Sequence, residues 1–299
     1  MPKLEYNLRY SCIIKRLRRS PASFNEISDY LESESDFHGY DFNISKRTFL
    51  RDLEEIRQFL HVDIMYDFSK RFYYIKEENR EEENNRMLEA YDMFNVLNKS
   101  DSFADYIFFE KRRPQGTEHF YGLLHAIKNS FFIQLKHKKF WDDEETERRV
   151  KPLGLKEFKG RWYLIAKDEK SYPVKTFGLD RILDFTITKQ RFEKVPAKEI
   201  NALFANCFGI INPTDTEPEK VVLSFTPFEG KYILSYPLHH SQHKIKQDEN
   251  ETRIELYMHV TEDFRMELLS YGEELKIIAP ASLKKEIMVR LKNALIQYK

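Results

Sequence analysis

A chain of 299 residues is long for one hydrophobic core, so two or three domains are the natural division. Hydrophobic residues make up 41%, which excludes a disordered chain, and 49 Lys and Arg balance 49 Asp and Glu, so net charge singles out no partner. Two cysteines, Cys12 and Cys207, lack metal or redox spacing and suit a reducing cytosol, while only nine glycines argue against a Gly-rich nucleotide fold.

Met1-Pro2-Lys3-Leu4-Glu5 does not read as a signal peptide and no apolar run approaches a membrane span, so a cytoplasmic protein without a membrane partner is expected. The spacing of Tyr10, Ile13, Ile14 and Leu17 predicts a first helix over Leu4–Arg19, stopped by Pro21. Ser23-Phe24-Asn25-Glu26 is a capping box that opens a second helix, with Ile27 and Leu31 on its buried face. Ser33 to Asn43 reads as a polar and aromatic loop. A third helix starts at the N-cap Ser45 and runs to Leu60, with Phe49, Leu53, Ile56 and Leu60 in one stripe. Arg47 and Arg51 fall about 160° and 200° away from that stripe, flanked by Thr48 and Gln58. Such a face suits a major-groove reader, because Arg grips guanine edges and a helix N-terminus attracts phosphate. Val62–Tyr66 and Arg71–Ile75 then flank a turn as a β-hairpin, with Lys70 and Arg71 at the turn. The competing reading makes Arg47 and Arg51 ordinary solvated charges on a protein-binding helix; residues 1–80 hold 14 basic and 14 acidic residues, so bulk charge favours neither.

Glu77 to Arg86 is dense in charge and reads as a solvated linker. Met87 to Leu97 turns helical, with Leu88, Tyr91, Phe94 and Leu97 in a narrow stripe that suits either packing on the next domain or a dimer contact. Asp105 to Arg113 carries the apolar patch Tyr106 to Phe109. A helix from Thr117 to Asn129 buries Phe120, Leu123, Leu124 and Ile127, and a strand follows over Phe131–His137. Asp142 to Glu147 lacks the EF-hand pattern and reads as a solvated hairpin tip. After a strand over Arg148–Leu155, the strand Arg161–Ala166 is apolar on both parities and is expected to be covered on both faces. A further strand from Val174 places Lys175, Phe177, Leu179 and Arg181 on one parity.

Residues 131–195 hold 16 basic and 11 acidic residues, with cations interleaved among aromatics. That pattern suits an anionic, stackable ligand: a nucleotide, an oligonucleotide or a phosphorylated metabolite. On a straight strand Lys175 and Arg181 would lie about 20 Å apart, unless Gly178 bends the chain. Pro196 to Gly209 suggests a helix, and Asn212 to Asp215 a boundary. Beyond it the elements read strand, helix, strand, strand, helix, strand, helix, a ferredoxin-like order, and the last helix is expected to bury Leu283, Ile287, Leu291, Ala294, Leu295 and Tyr298. His239, His240 and His243 have no further ligands at metal spacing, and no nucleotide or catalytic fingerprint occurs, so neither a metal, a cofactor nor an enzymatic activity is expected.

Trp162-Tyr163-Leu164, followed by Lys175-Thr176-Phe177-Gly178-Leu179-Asp180-Arg181-Ile182 and preceded by Pro152-Leu153-Gly154-Leu155, resembles the WYL-domain family of bacterial transcriptional regulators. The signature S-x-R-T-x-x-R-D-L at Ser45 to Leu53 and the order of elements around it resemble a winged helix-turn-helix, and His239-His240-Ser241-Gln242 resembles the extension that follows WYL domains. The resemblance implies an α+β multidomain chain. Residues 1–78 would form the winged helix-turn-helix, 79–116 a helical linker, 117–212 an Sm-like (SH3-like) β-barrel that senses a ligand, and 213–299 the ferredoxin-like extension. The residues expected on double-stranded DNA are Ser45, Lys46, Arg47, Thr48, Arg51, Lys70 and Arg71. The family's effector positions fall on His137, Arg149, Tyr163, Lys175 and Arg181, for an anionic effector such as single-stranded nucleic acid or a nucleotide. Family members commonly have Tyr at the position of His137 and a basic residue at that of Gly178. A homodimer follows from two half-sites. The alternative from another class is a protein-interaction scaffold whose third helix contacts a partner protein.

Overall fold

The computed structural model describes residues 2–76, 115–140, 143–169 and 173–299. The expected linker over 77–86, the helix over 87–97, the patch over 105–113 and Asp142 lie outside them. The chain divides into two compact units, residues 1–110 and 111–299.

The first unit packs α1 (Pro2–Arg19), α2 (Phe24–His38) and α3 (Lys46–Leu60) with an antiparallel pair, β1 (Ile64–Asp67) and β2 (Phe72–Ile75). Both halves of the capping box form: the Glu26 N–H donates to Ser23 Oγ at 3.3 Å, and the Ser23 N–H donates to Glu26 Oε2 at 2.7 Å. The loop expected from Ser33 is instead helix. The Ser33 and Ser35 hydroxyls donate back to the Tyr30 and Leu31 carbonyls, which accommodates polar residues inside α2. The helix stops only at Gly39, which takes φ 60°. Phe42 then enters the core between Ile13, Ile27, Leu31, Phe49 and Ile56, with its N–H donating to Ser35 Oγ. A buried, two-pronged ion pair clamps α1 to α3, with Arg9 Nε 2.8 Å from Asp52 Oδ2 and Arg9 Nη2 3.1 Å from Asp52 Oδ1.

The second unit opens with a short 3-10 turn and α4 (Phe120–Lys128), which covers a five-stranded antiparallel sheet. Its strands are β3 (Phe131–Lys138), β4 (Glu145–Phe158), β5 (Arg161–Asp168), β6 (Val174–Gly178) and β7 (Ile182–Arg191), in the spatial order β6-β5-β4-β3-β7. Glu145 to Glu147, expected in a hairpin tip, are ladder residues opposite Lys138 to Lys136. Leu164 and Ala166 of β5 enter one core with Leu123, Ile133, Val150 and Phe177. Ile165 points the other way, into a second cluster with Leu153 and with Ile200 and Phe204 of α5 (Ala197–Phe204). The strand is therefore covered on both faces. The closed barrel expected from the sequence is not formed by hydrogen bonds among the described residues. Instead β6 and β7 are the two sheet edges, joined by the 3-10 turn Leu179–Arg181. That turn also means that Lys175 and Arg181 do not share a straight strand.

The rest of the unit is β8 (Glu219–Phe225), α6 (Pro227–Ser235), β9 (His243–Gln247), β10 (Thr252–Met258), α7 (Glu262–Ser270), β11 (Leu275–Ala279) and α8 (Ala281–Ile296). The strands form an antiparallel sheet in the order β11-β8-β10-β9, with Val221, Leu223, Ile254 and Leu256 facing Phe264, Leu268, Leu283 and Ile287. His239 has a structural position: its ring bonds Ser241 Oγ at 2.7 Å and the Ala205 carbonyl at 2.9 Å. The expected buried face of α8 ends at Ile287. Leu291 is 44% and Leu295 58% exposed, and Ala294 and Tyr298 are exposed as well, because α8 runs past the sheet that covers its first two turns. Among the described residues no helix is long and apolar enough to cross a membrane, and no three His, Cys, Asp or Glu side chains gather as a metal site.

Candidate functional site

The second unit contains an open cavity of about 340 Å³. Alternation along β3 puts His137 on the same face as Leu135, and the ladder sets Arg148 opposite Leu135, so both reach the cavity. The edge strand β6 adds Lys175, Thr176 and Phe177, the end of β3 adds Lys139, and the opposite wall is Phe204 with Ile210, Ile211 and Asn212. Among the described residues no Asp or Glu lines it.

His137 is 6% exposed, its ring meets Phe177 edge-on at 5.3 Å, and its Nε2 is buried with no hydrogen-bond partner among the described residues. Loss of hydration, reinforced by the positive charges of Arg181 and Arg148, pushes its pKa down to about 4, so the ring is neutral near neutral pH. A buried polar atom left unpaired costs on the order of 1–3 kcal/mol, which a ligand reaching Nε2 would recover. Arg148 is held by the buried Asp168 at 2.9 Å, and Lys139 pairs with Glu144. Lys175 makes no ion pair among the described residues and is the cation left to a ligand.

The wall at 210–212 is anchored on both sides. Thr176 Oγ1 donates to the Ile210 carbonyl at 3.3 Å, and the Ile210 and Ile211 N–H groups donate to Asp263 Oδ2 at 2.9 and 3.0 Å. Gly209 takes φ 90°, and a Cβ there would lie 2.6 Å from Asp263 Oδ2, so only glycine seats the chain on that carboxylate.

Of the expected effector residues, His137 and Lys175 meet in this cavity and three do not line it. Arg149 is on the opposite face of β4 from Arg148, stacked on the Phe132 ring at 4.5 Å and bonded to Gln190 and Glu169. Tyr163 lies opposite Gly178 on β5, and burial raises the pKa of its phenol. Arg181 sits over the Phe140 ring at 5.3 Å, close enough for its charge to act on His137. A Cβ at Gly178 would come within 2.4 Å of Asp180 Oδ1 and 3.0 Å of Arg181 Nε, so Asp180 and Arg181 together occupy the space that a side chain at 178 would need.

In the first unit Ser45 caps α3, accepting the Thr48 N–H at 3.2 Å. Lys46, Arg47 and Arg51 are exposed; Arg51 is 60% exposed and 4.0 Å from Glu55, while Lys46 and Arg47 make no ion pair among the described residues. In the hairpin turn Lys70 lies 5.7 Å from the Phe72 ring and Arg71 takes φ 59°. The hairpin and the end of α1 form a groove of about 590 Å³ that places Arg18, Arg19, Lys70 and Lys76 together.

Residues 118–187 match the WYL domain family, and residues 217–295 match the WCX domain family. The chain thus carries a WYL domain followed by a WCX domain. Among solved structures it is similar to the proteasome accessory factor B/C (PafBC) of Arthrobacter aurescens, at 18% identity and a TM-score of 0.36 over 96% of this chain and 46% of that one. It is also similar to a CRISPR Cas-related protein, at 13% identity and a TM-score of 0.37 over 97% and 91%. The chain therefore spans about half the length of the PafBC chain. No curated protein sequence matches.

The cavity lies where the WYL domain meets the connection to the WCX domain, residues 188–216. Sequence reading missed Arg148, Lys139, Thr176 and Asn212 as cavity residues. The doublet Arg148-Arg149 hid which arginine faces inward, and only the β3–β4 register decides it. It also missed Arg18, Arg19 and Lys76 beside the hairpin, where the signal was a run of basic residues ending α1.

Proposed function

We propose that this protein is a sequence-specific DNA-binding transcriptional regulator without catalytic activity, whose WYL domain senses an anionic effector. The observation that carries the reading is the outward face of α3. It presents Lys46, Arg47 and Arg51 to solvent, while Phe49 and Ile56 fasten the opposite face into the core. In this reading the first unit is a winged helix-turn-helix with α3 in the major groove and Lys70 and Arg71 on the phosphate backbone. The WYL sheet is an Sm-like barrel left open between β6 and β7. The WCX sheet, with its first strand between its fourth and third, is ferredoxin-like. Two copies would read two half-sites, and effector binding would alter their spacing.

The test is duplex binding across a salt series, using genomic fragments from around the protein's own gene. Binding should fall steeply with salt, and Arg47→Ala with Arg51→Ala should weaken it by about 100-fold with unchanged thermal melting. Unchanged affinity in the double variant, or no duplex binding at low salt, would instead favour a scaffold whose α3 meets a protein.

A further inference from the structure

We propose that the cavity between β6 and the strap Gly209–Asn212 binds one ring-bearing phosphate compound of nucleoside-monophosphate size, and that the strap transmits its occupancy to the WCX domain through Asp263. The proposal rests on the effector-sensing reading of the WYL domain and narrows it to a single small anion in place of a strand.

Size is the first argument. About 340 Å³ is at the lower end of the roughly 300–1,000 Å³ of ligand pockets, enough for one nucleotide. Charge is the second. Arg148 and Lys139 already hold carboxylates, so Lys175 is the cation left without one among the described residues, and the site suits one or two negative charges. Third, the remaining walls are apolar and aromatic, with Phe177 and Phe204 available for a ring. Fourth, His137 lines the same space, and its buried Nε2 has no partner among the described residues. An anion beside the neutral imidazole favours protonation of the ring. The groups whose charges act on that ring are Arg181, Arg148, Asp180 and Lys139.

The strap supplies the coupling. Its Ile210 and Ile211 line the cavity while their N–H groups hold Asp263, in the first turn of α7. Thr176 ties the same segment to β6. A ligand that fills the cavity bears on residues fixed to α7 by two hydrogen bonds, so the affinities of the two arrangements are linked.

Calorimetric titration of the full chain tests this with adenosine and guanosine monophosphates, inorganic phosphate and a 5′-phosphorylated oligonucleotide. A monophosphate should bind at least tenfold more tightly than inorganic phosphate, and Lys175→Gln should weaken it at least tenfold with thermal melting unchanged. Because the phosphate itself takes up a proton at about pH 6, the His137 contribution is read as a difference: affinity should hold up better on acidification in the wild type than in His137→Gln. Hydrogen exchange should show protection gained at 209–212 and in the first turn of α7. In Asp263→Ala the protection at α7 should be lost while the monophosphate still binds.

Absence of monophosphate binding, or binding indifferent to Lys175→Gln, overturns the site. Protection confined to the WYL strands overturns the coupling. If only the oligonucleotide binds, the single-nucleotide site is wrong while an effector-sensing WYL domain stands. The duplex measurement on Arg47 and Arg51 is scored separately, so the regulator reading can fail without the cavity, and the cavity without it.

Discussion

The outward face of α3 and the WYL cavity are built from the same kinds of residue and put them to opposite electrostatic use. On α3 the cations stand in water, and one of the three has a carboxylate within 4.0 Å among the described residues. In the cavity Arg148 and Lys139 are matched to Asp168 and Glu144, and His137 is held neutral. Solvated, uncompensated cations suit a polyanion, whose counterions they release and whose attraction salt screens. With Arg148 and Lys139 compensated, Lys175 is the charge of the cavity left for a small anion among the described residues. The two surfaces differ in how much water each cation keeps.

The largest expected effect tests what holds the α3 face in place. Arg9 and Asp52 are 3% and 0% exposed, so Asp52→Asn leaves a buried guanidinium without its counter-charge. The loss should be about 3–5 kcal/mol in the unfolding of the first unit, measured by urea titration. Replacing both partners together, Arg9→Met with Asp52→Leu, should restore most of it, since both buried charges then vanish. A single variant that melts like the wild type would show that this pair does not fasten α3.

Next comes the neutral His137 of the cavity. The folded pKa of His137, about 4, lies below the ordinary value of 6.5, so the fold prefers the neutral ring. The stability from this preference is complete above about pH 6.5 and is lost as pH falls from there towards 4. The full loss is about 3 kcal/mol, the free energy that separates a pKa of 6.5 from one of about 4. Urea midpoints of the second unit should therefore fall between neutral and acid pH more steeply in the wild type than in His137→Phe. Parallel slopes would place the ring in contact with water and remove the contrast with α3.

How far each surface could be read in advance follows from how local its causes are. The stripe Phe49, Leu53, Ile56, Leu60 and the cap Ser45 lie within one helix, so the face with Arg47 and Arg51 is visible from periodicity alone. The double coverage of Arg161–Ala166 is likewise written in adjacent residues. The cavity is not local. His137, Arg148, Lys175 and Asn212 come from segments far apart in the chain, and the choice between Arg148 and Arg149 turns on a cross-strand register. The failures at Ser33–His38 and beyond Ile287 have a shared cause in context. Serine hydroxyls that bond back to the helix hide a helix, and an apolar stripe does not say where its covering sheet ends.

The smallest effect concerns Gly178, where the two halves of the cavity's charge balance meet. Its φ of −60° is open to any residue, so Gly178→Ala should gain about 0.4–1 kcal/mol from the stiffer unfolded chain. Against this, the new Cβ would sit 2.4 Å from Asp180 Oδ1 and 3.0 Å from Arg181 Nε, and crowding of this kind costs about 1–3 kcal/mol. The closer contact is Asp180 Oδ1, so Asp180 must shift against its bond from Arg161 at 3.1 Å, while Arg181 has only to give slightly. The net change in stability should be a loss anywhere between about 0 and 2.6 kcal/mol, too wide a range to be the useful readout. The informative quantity is the titration of His137, followed through its ring resonances. Arg181 is the largest charge holding that pKa down, so Arg181→Gln should move the midpoint up towards 6.5, whereas Gly178→Ala, which crowds Asp180 more than Arg181, should move it far less. An unchanged midpoint in Arg181→Gln would mean that burial alone keeps the ring neutral.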